Sequence, residues 1–82
     1  MLEQKTISQI ATLIEKDWKN IYFGAKPYLE AMRSLESIND NYICDSGSSV
    51  IAYFLSNAIT WRGPVAREVK KELNNRLKTA RG

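Results

Sequence analysis

The feature that most constrains the fold is a stretch of sixteen residues, 46–61, that contains no charged side chain. Apolar residues recur in it at intervals of three and four, which predicts a helix. They are Val50, Ile51, Phe54, Leu55, Ala58, Ile59 and Trp61. A helix without a charged face is usually enclosed by protein. We therefore expect this helix at the centre of the domain or at a subunit interface.

Helical periodicity dominates the rest of the chain and predicts an all-α fold, a compact bundle of about four short helices in a single domain. The helices are expected at about 8–22, 27–37, 46–61 and 64–78. Thr6 and Gln9 have the spacing of a capping box before the first helix. Pro27 and Pro64 suit first helical positions, because proline has a fixed φ and no N–H. Gly63 and Pro64 therefore form a corner, and Trp61 is expected to pack beneath it.

The segment INDNYICDSG, between the second and third helices, is rich in turn-forming residues. We expect its apolar residues Ile43 and Cys44 to fold onto the core. A single short strand here would lack a partner. The segment DSGSS, residues 45–49, contains a glycine and precedes a helix, as phosphate-binding loops do. It lacks the spacing of a P-loop, and a helix cap at Asp45 or Ser46 explains it better.

The chain contains no histidine and only one cysteine, Cys44. A Ser-His or Cys-His pair is therefore excluded, and the commonest acid–base residue is missing. No set of thiols and imidazoles is available for a transition metal, and the acidic residues lack the spacing of a calcium loop. We expect a protein without enzymatic activity, metal or cofactor.

A cytoplasmic location is also expected from the sequence. A lone cysteine cannot form an internal disulfide and fits a reducing compartment. The first residues, MLEQKTISQI, do not resemble a signal peptide. The longest apolar run, residues 50–55, is much shorter than the roughly 20 residues that a membrane span needs.

Basic residues are concentrated near the C-terminal end of the chain. The net charge is +3, and residues 62–82, with seven basic and two acidic residues, contribute +5. Such an asymmetry suggests an anionic partner. Four basic residues fall on one outer face of the predicted fourth helix, and a fifth lies just before it. The predicted contacts for an anion or nucleic acid are Arg62, Arg67, Lys70, Lys71 and Lys78. A solvated helix face is the competing interpretation.

The third and fourth helices also partly resemble a helix-turn-helix motif, with Gly63 in the turn. Two features depart from that motif. Arg62 stands where an apolar residue is usual, and the third helix is too long and too apolar for a scaffold helix.

A second candidate surface is the neutral stripe of the third helix: Ser49, Tyr53, Ser56 and Thr60. If the core is already filled, this stripe faces a partner, and tyrosine is common at interfaces. A chain of 82 residues has a modest core, so pairing with a second copy would bury additional surface. The first hypothesis is therefore a non-catalytic protein–protein interaction module that forms a homodimer or binds another protein. The alternative is nucleic-acid binding through the basic fourth helix, and a small ligand between helices is a third possibility.

Overall fold

Four α-helices make up most of the computed structural model: α1 (Ile7–Asp17), α2 (Lys26–Met32), α3 (Gly47–Ser56) and α4 (Pro64–Arg81). The structure describes the backbone of residues 2–42 and 45–81, and the side chains of residues 2–40 and 46–79. Short 3-10 turns, Leu2–Gln4 and Phe23–Ala25, precede α1 and α2. The predicted all-α bundle of four helices is confirmed.

One cluster of buried apolar side chains holds the helices together. Its largest fully buried members are Ile7, Ile10, Ile14, Leu29, Met32, Leu35, Ile51, Phe54, Val69 and Leu73. The uncharged helix α3 packs against both α2 and α4. The residues predicted for its apolar arc are largely buried. The prediction is wrong for Ile59, which lies beyond the end of α3 and is 70% exposed.

An aromatic group of Trp18, Phe54 and Trp61 lies within this core. The two indole rings stack with their centroids 5.7 Å apart. Phe54 meets them edge-on, at 6.4 Å from Trp18 and 6.5 Å from Trp61. The Trp61 indole N–H donates to Asp17 Oδ2 at 2.9 Å, which satisfies the polar atom of a buried ring. The group joins the end of α1 to α3 and to the predicted corner.

Helix α1 begins as predicted and ends earlier than predicted. Gln9 N donates to Thr6 Oγ1 at 3.1 Å, and Thr6 N donates to Gln9 Oε1 at 2.8 Å, which completes the capping box. The helix stops at Asp17 instead of 22, because Trp18 adopts an extended conformation with its ring in the aromatic group.

Helix α2 stops at Met32 instead of 37 because the chain beyond it supplies hydrogen-bond acceptors to the start of α1. The N–H groups at the start of a helix have no partner inside it. Those of Ile7 and Ser8 donate to the carbonyls of Glu36 and Leu35, at 3.1 and 2.8 Å. Leu35 and Glu36 therefore leave the helical path. Asp40 Oδ2 then accepts from the N–H of Glu36 and of Ser37 and closes the turn.

The loop before α3 pairs with itself. Strand β1 (Asn41–Tyr42) is antiparallel to β2 (Asp45–Ser46), so the expectation that a strand would lack a partner is wrong. Ile43 and Cys44 lie outside the described residues, and the expectation for them stays a prediction. Ser46 caps α3 by accepting from Ser49 N at 3.1 Å, which confirms the cap interpretation of DSGSS.

Helix α3 ends at Ser56 instead of 61. Asn57 leaves the helical conformation, with φ of −103° and ψ of 9°. Its side chain and its backbone N–H both donate to the carbonyl of Tyr53, at 2.8 and 3.2 Å. Gly63 then takes φ of +113°, a conformation that favours glycine, and α4 begins at Pro64 as predicted. Helix α4 runs to Arg81, beyond the predicted end at 78, because no helix-breaking residue interrupts it before Gly82.

The helix-turn-helix resemblance does not hold in the structure. The connection between α3 and α4 consists of the seven residues 57–63. The turn of that motif has about three to four residues. The connection is too long to fix two helices in that arrangement.

Candidate interaction surfaces

The four residues predicted to face a partner do not form one continuous stripe. Tyr53, Ser56 and Thr60 are exposed, whereas Ser49 is half-buried. Ser49 belongs to the cap of α3, since its hydroxyl accepts from the Ser46 hydroxyl at 3.1 Å. The Ser56 hydroxyl donates to the carbonyl of Ala52 in its own helix. Thr60 lies beyond the end of α3, so Tyr53 and Ser56 are the predicted residues that are exposed within the helix.

Tyr53 belongs to a surface that we call the aromatic patch, formed by Tyr22, Phe23, Tyr28 and Tyr53. The rings of Tyr28 and Tyr53 have centroids 5.6 Å apart, and those of Tyr22 and Phe23 are 4.9 Å apart. Asn57 links the two pairs. Its side chain bonds to the carbonyl of Tyr53. Its Oδ1 and the Tyr22 ring lie over the same side of Gly24, at 2.9 and 2.5 Å from where a Cβ would stand.

The aromatic patch is open to solvent. The exposed fractions are 75% for Phe23, 55% for Tyr53 and 44% for Tyr22, while Tyr28 is half-buried. Ile59, two residues beyond Asn57, is 70% exposed. Ile59 is thus a further exposed apolar side chain, located in the α3–α4 connection.

Sequence reasoning missed most of this patch. The predicted first helix, 8–22, was too long and included Tyr22, and no predicted helix included Phe23. A local signal was present, since Ile21, Tyr22 and Phe23 are consecutive. Three consecutive side chains point in three directions around a helix. They could not all have joined the inner face.

The structure brings together three of the five predicted cationic contacts. Arg62, Arg67 and Lys70 line one depression of about 300 Å³, which we call the corner hollow. Its other lining residues are Trp61, Gly63 and Ala66. Lys71 lines a groove on another side of α4, and Lys78 lines a hollow that it shares with Ser48 and Ser49. The five predicted cations therefore line three different surfaces.

Lys70 also has a structural role. Its Nζ donates to the carbonyl of Trp61 at 2.7 Å and lies 6.0 Å from the centroid of the Trp61 ring, within cation–π range. Burial lowers the pKa of Lys70, and the positive charge of Arg62 lowers it further. Lys70 thus links α4 to the corner by a hydrogen bond, and it lies near the positive charge of Arg62.

A larger groove of about 510 Å³ lies between α4, α1 and the turn Leu2–Gln4. Its apolar lining residues include Leu2, Leu13, Val65 and Val69, and its charged lining residues belong to α4 and to the turn Leu2–Gln4. This volume is within the usual range for small-molecule sites. Among the residues that the structure describes, no three acidic, cysteine or histidine side chains converge as a metal site would require.

No α-helix in the described part of the chain combines the length and the hydropathy needed to cross a membrane. Comparison with protein-family models, with curated proteins and with solved structures finds no match to this chain. The function is therefore argued from the geometry of these surfaces.

Proposed function

We propose that the protein is a non-catalytic protein–protein interaction module that self-associates through the aromatic patch. One observation carries this proposal. Of the large hydrophobic side chains that the structure describes, the four exposed ones are three members of the patch and one residue of the α3–α4 connection. They are Tyr22, Phe23, Tyr53 and Ile59.

The energetics of burial favour contact at this surface. Removing apolar surface from water contributes about 25 cal/mol per Å². Tyrosine and phenylalanine lose little conformational entropy on binding, because each has only two side-chain torsions. Grouped aromatic side chains are characteristic of protein interfaces, whereas single exposed apolar residues are not.

The lack of charge in the aromatic patch favours a second copy as the partner. In a two-fold symmetric contact, the same surface meets itself. The two segments that contain its most exposed residues, 20–25 and 46–61, have no charged side chain. Contact between these two segments of two copies therefore brings no like charges of the segments themselves together. The corner hollow would instead place cations of one copy against cations of the other.

Light scattering coupled to size exclusion tests this proposal. We expect the native chain to shift from monomer to dimer as its concentration rises. In the double variant F23S/I59S, dimerisation should weaken at least about 30-fold, the effect of losing one interface hot spot of about 2 kcal/mol. The matched control, K71S/K78S, changes two exposed residues outside the patch and should dimerise as the native chain does.

Two results would contradict self-association through this surface. One is a native chain that stays monomeric at high micromolar concentration. The other is equal dimerisation of F23S/I59S and the native chain, which would assign the contact to a different surface.

A further inference from the structure

We propose that the corner hollow is a binding site for a phosphate group. Arg62, Arg67 and Lys70 supply its charge. This inference concerns a different surface from the aromatic patch and does not depend on self-association.

The charge balance of the corner hollow is the first argument. None of its lining residues is acidic. Within the described side chains, the salt bridges involve Arg33 and Arg76 and leave these three cations out. The Asp17 carboxylate bonds to the Trp61 indole N–H and does not line the hollow. Three cations around one small volume repel each other, and an anion with two negative charges relieves that repulsion.

The donor geometry is the second argument. A guanidinium presents N–H groups as a planar fork that matches two phosphate oxygens, and Arg62 and Arg67 each provide one. Lys70 uses one N–H on the carbonyl of Trp61, so its ammonium is held in place and keeps two donors. A hollow of about 300 Å³ accommodates a phosphate with its hydration.

The start of α4 adds a smaller contribution in the same place. Pro64 has no N–H, and Arg67 N makes a 3.0 Å bond to the carbonyl of Gly63. The N–H groups of Val65 and Ala66 precede this bond, where a helix cannot satisfy them internally. Together with the helix dipole, they add positive potential beside the cations.

The phosphate has two possible sources with the same chemistry. It is either a free phosphate or phosphomonoester, or the phosphodiester backbone of a nucleic acid. Only the second would also be expected to reach Lys71 and Lys78, which line other surfaces of α4. The nucleic-acid alternative from the sequence is thus one form of this proposal.

Titration with inorganic phosphate, followed by amide chemical shifts at low ionic strength, tests the site. We expect saturable shifts confined to the region around residues 62–70, and no comparable shifts with sodium chloride of equal ionic strength. The double variant R62Q/R67Q should bind phosphate about tenfold more weakly or worse, because two charge-assisted contacts are lost. Lys70 is left unchanged because it also fastens the corner. The matched control K71Q/K78Q removes the same charge and should bind phosphate as the native chain does.

A second arm uses a single-stranded oligonucleotide as the probe. If the phosphate is part of a nucleic acid, the oligonucleotide binds more tightly than inorganic phosphate, and K71Q/K78Q also weakens it. If the source is a small molecule, the oligonucleotide binds no more tightly than inorganic phosphate does. Both outcomes support the site. The proposal is overturned if phosphate causes no saturable shift near the corner, or if both double variants weaken phosphate binding equally.

Discussion

Trp61 shows how much of the corner between α3 and α4 depends on one residue. Its ring stacks on Trp18, its indole N–H bonds to Asp17, and its carbonyl accepts from Lys70. The sequence predicted that Trp61 packs beneath the corner formed by Gly63 and Pro64, and the residue is buried there. It did not predict the bond from Lys70, because this contact runs from α4 back to a residue before the corner and leaves no periodic pattern.

The pKa of Lys70 gives a prediction for this corner. It lies below the ordinary value of 10.5 because of burial and then the charge of Arg62. Substitution R62Q removes the second cause only, so the pKa should rise but stay below 10.5. An NMR titration of the lysine Cε–Hε signals measures it. K78Q, on a separate hollow, should leave the pKa unchanged.

The sign of the effect on stability follows from the same shift. Because the folded chain releases this proton more readily than the unfolded chain, protonation of Lys70 opposes folding at neutral pH relative to the neutral amine, although the ammonium still donates to Trp61. That opposition should fade as the pH rises from the folded pKa towards 10.5, and the change should be smaller in R62Q. A Lys70 pKa that does not move in R62Q would contradict the proximity of the two cations in the corner hollow.

Gly47 provides a prediction in which two effects have opposite signs. Helix propensity alone favours G47A by about 1 kcal/mol. Gly47 is buried, however, and a Cβ there would lie 2.5 Å from the carbonyl oxygen of Ile38 and 2.8 Å from that of Asp40. We expect this collision to dominate and to lower the free energy of unfolding by about 1–3 kcal/mol.

Chemical denaturation measures the effect of G47A. The control S48A, at the next position of α3, should change the free energy of unfolding by no more than about 0.5 kcal/mol. A stabilised G47A would mean that the loop 38–40 does not press against the start of α3.

At the scale of the elements, periodicity located all four helices but not their ends. The inner face of each helix depends on local spacing, which the sequence displays directly. The ends of α1, α2 and α3 depend on Trp18, on the carbonyls of Leu35 and Glu36, and on Asn57. Trp18 and the two carbonyls act through contacts with other elements, which local spacing does not record.

The same limit explains the candidate surfaces. Arg67 and Lys70 are three residues apart in one helix, so their proximity was predictable. Lys71 and Lys78 were predicted on the same face, but neighbouring elements divide that face into separate hollows. Phe23 was missed because its exposure depends on where α1 ends.

Arg76 is predicted to stabilise the fold more than Arg33 does. It is partly buried, and it donates to Glu72 Oε2 at 2.7 Å and to the carbonyl of Leu2 at 2.8 Å. These bonds tie α4 to the turn Leu2–Gln4. R76M should therefore lower the free energy of unfolding by about 1.5–3 kcal/mol.

Arg33 is the matched control for Arg76. It is exposed and lies 3.4 Å from Glu15 and 3.8 Å from Glu30. R33M should lower the free energy of unfolding by about 0–1 kcal/mol, as the loss of other surface ion pairs does. Amide exchange should also accelerate in R76M at Lys5, whose N–H bonds to the carbonyl of Leu2. Equal losses of unfolding free energy in R76M and R33M would show that the bonds of Arg76 stabilise the fold no more than a surface ion pair does.

At the scale of the whole molecule, the four helices share one small core. The radius of gyration is 11.4 Å, close to the about 12 Å expected for a compact chain of this length. The core cluster includes residues of every helix and of the α3–α4 connection. A helix that separated from the others would expose part of this cluster, so we expect the helices to unfold together.

Substitution F54A tests this cooperativity. Phe54 is fully buried and contacts both tryptophans of the aromatic group. Its loss should lower the free energy of unfolding by about 3–5 kcal/mol, a large part of the roughly 5–15 kcal/mol that a domain possesses. Tryptophan fluorescence reports on the aromatic group, and far-UV circular dichroism reports on all four helices. If one core serves every helix, the two signals should share one midpoint in the native chain and shift together in F54A.

The neighbouring substitution Y53A is the control for F54A, since it changes the same helix at an exposed position. At equal protein concentration, Y53A should shift the unfolding midpoints of both signals much less than F54A does. A fluorescence midpoint that falls in F54A while the helical signal keeps its native midpoint would contradict a shared core. The aromatic group would then be a separate unit that melts without α4, and α4 would need another source of stability, such as contact with a second copy of the chain.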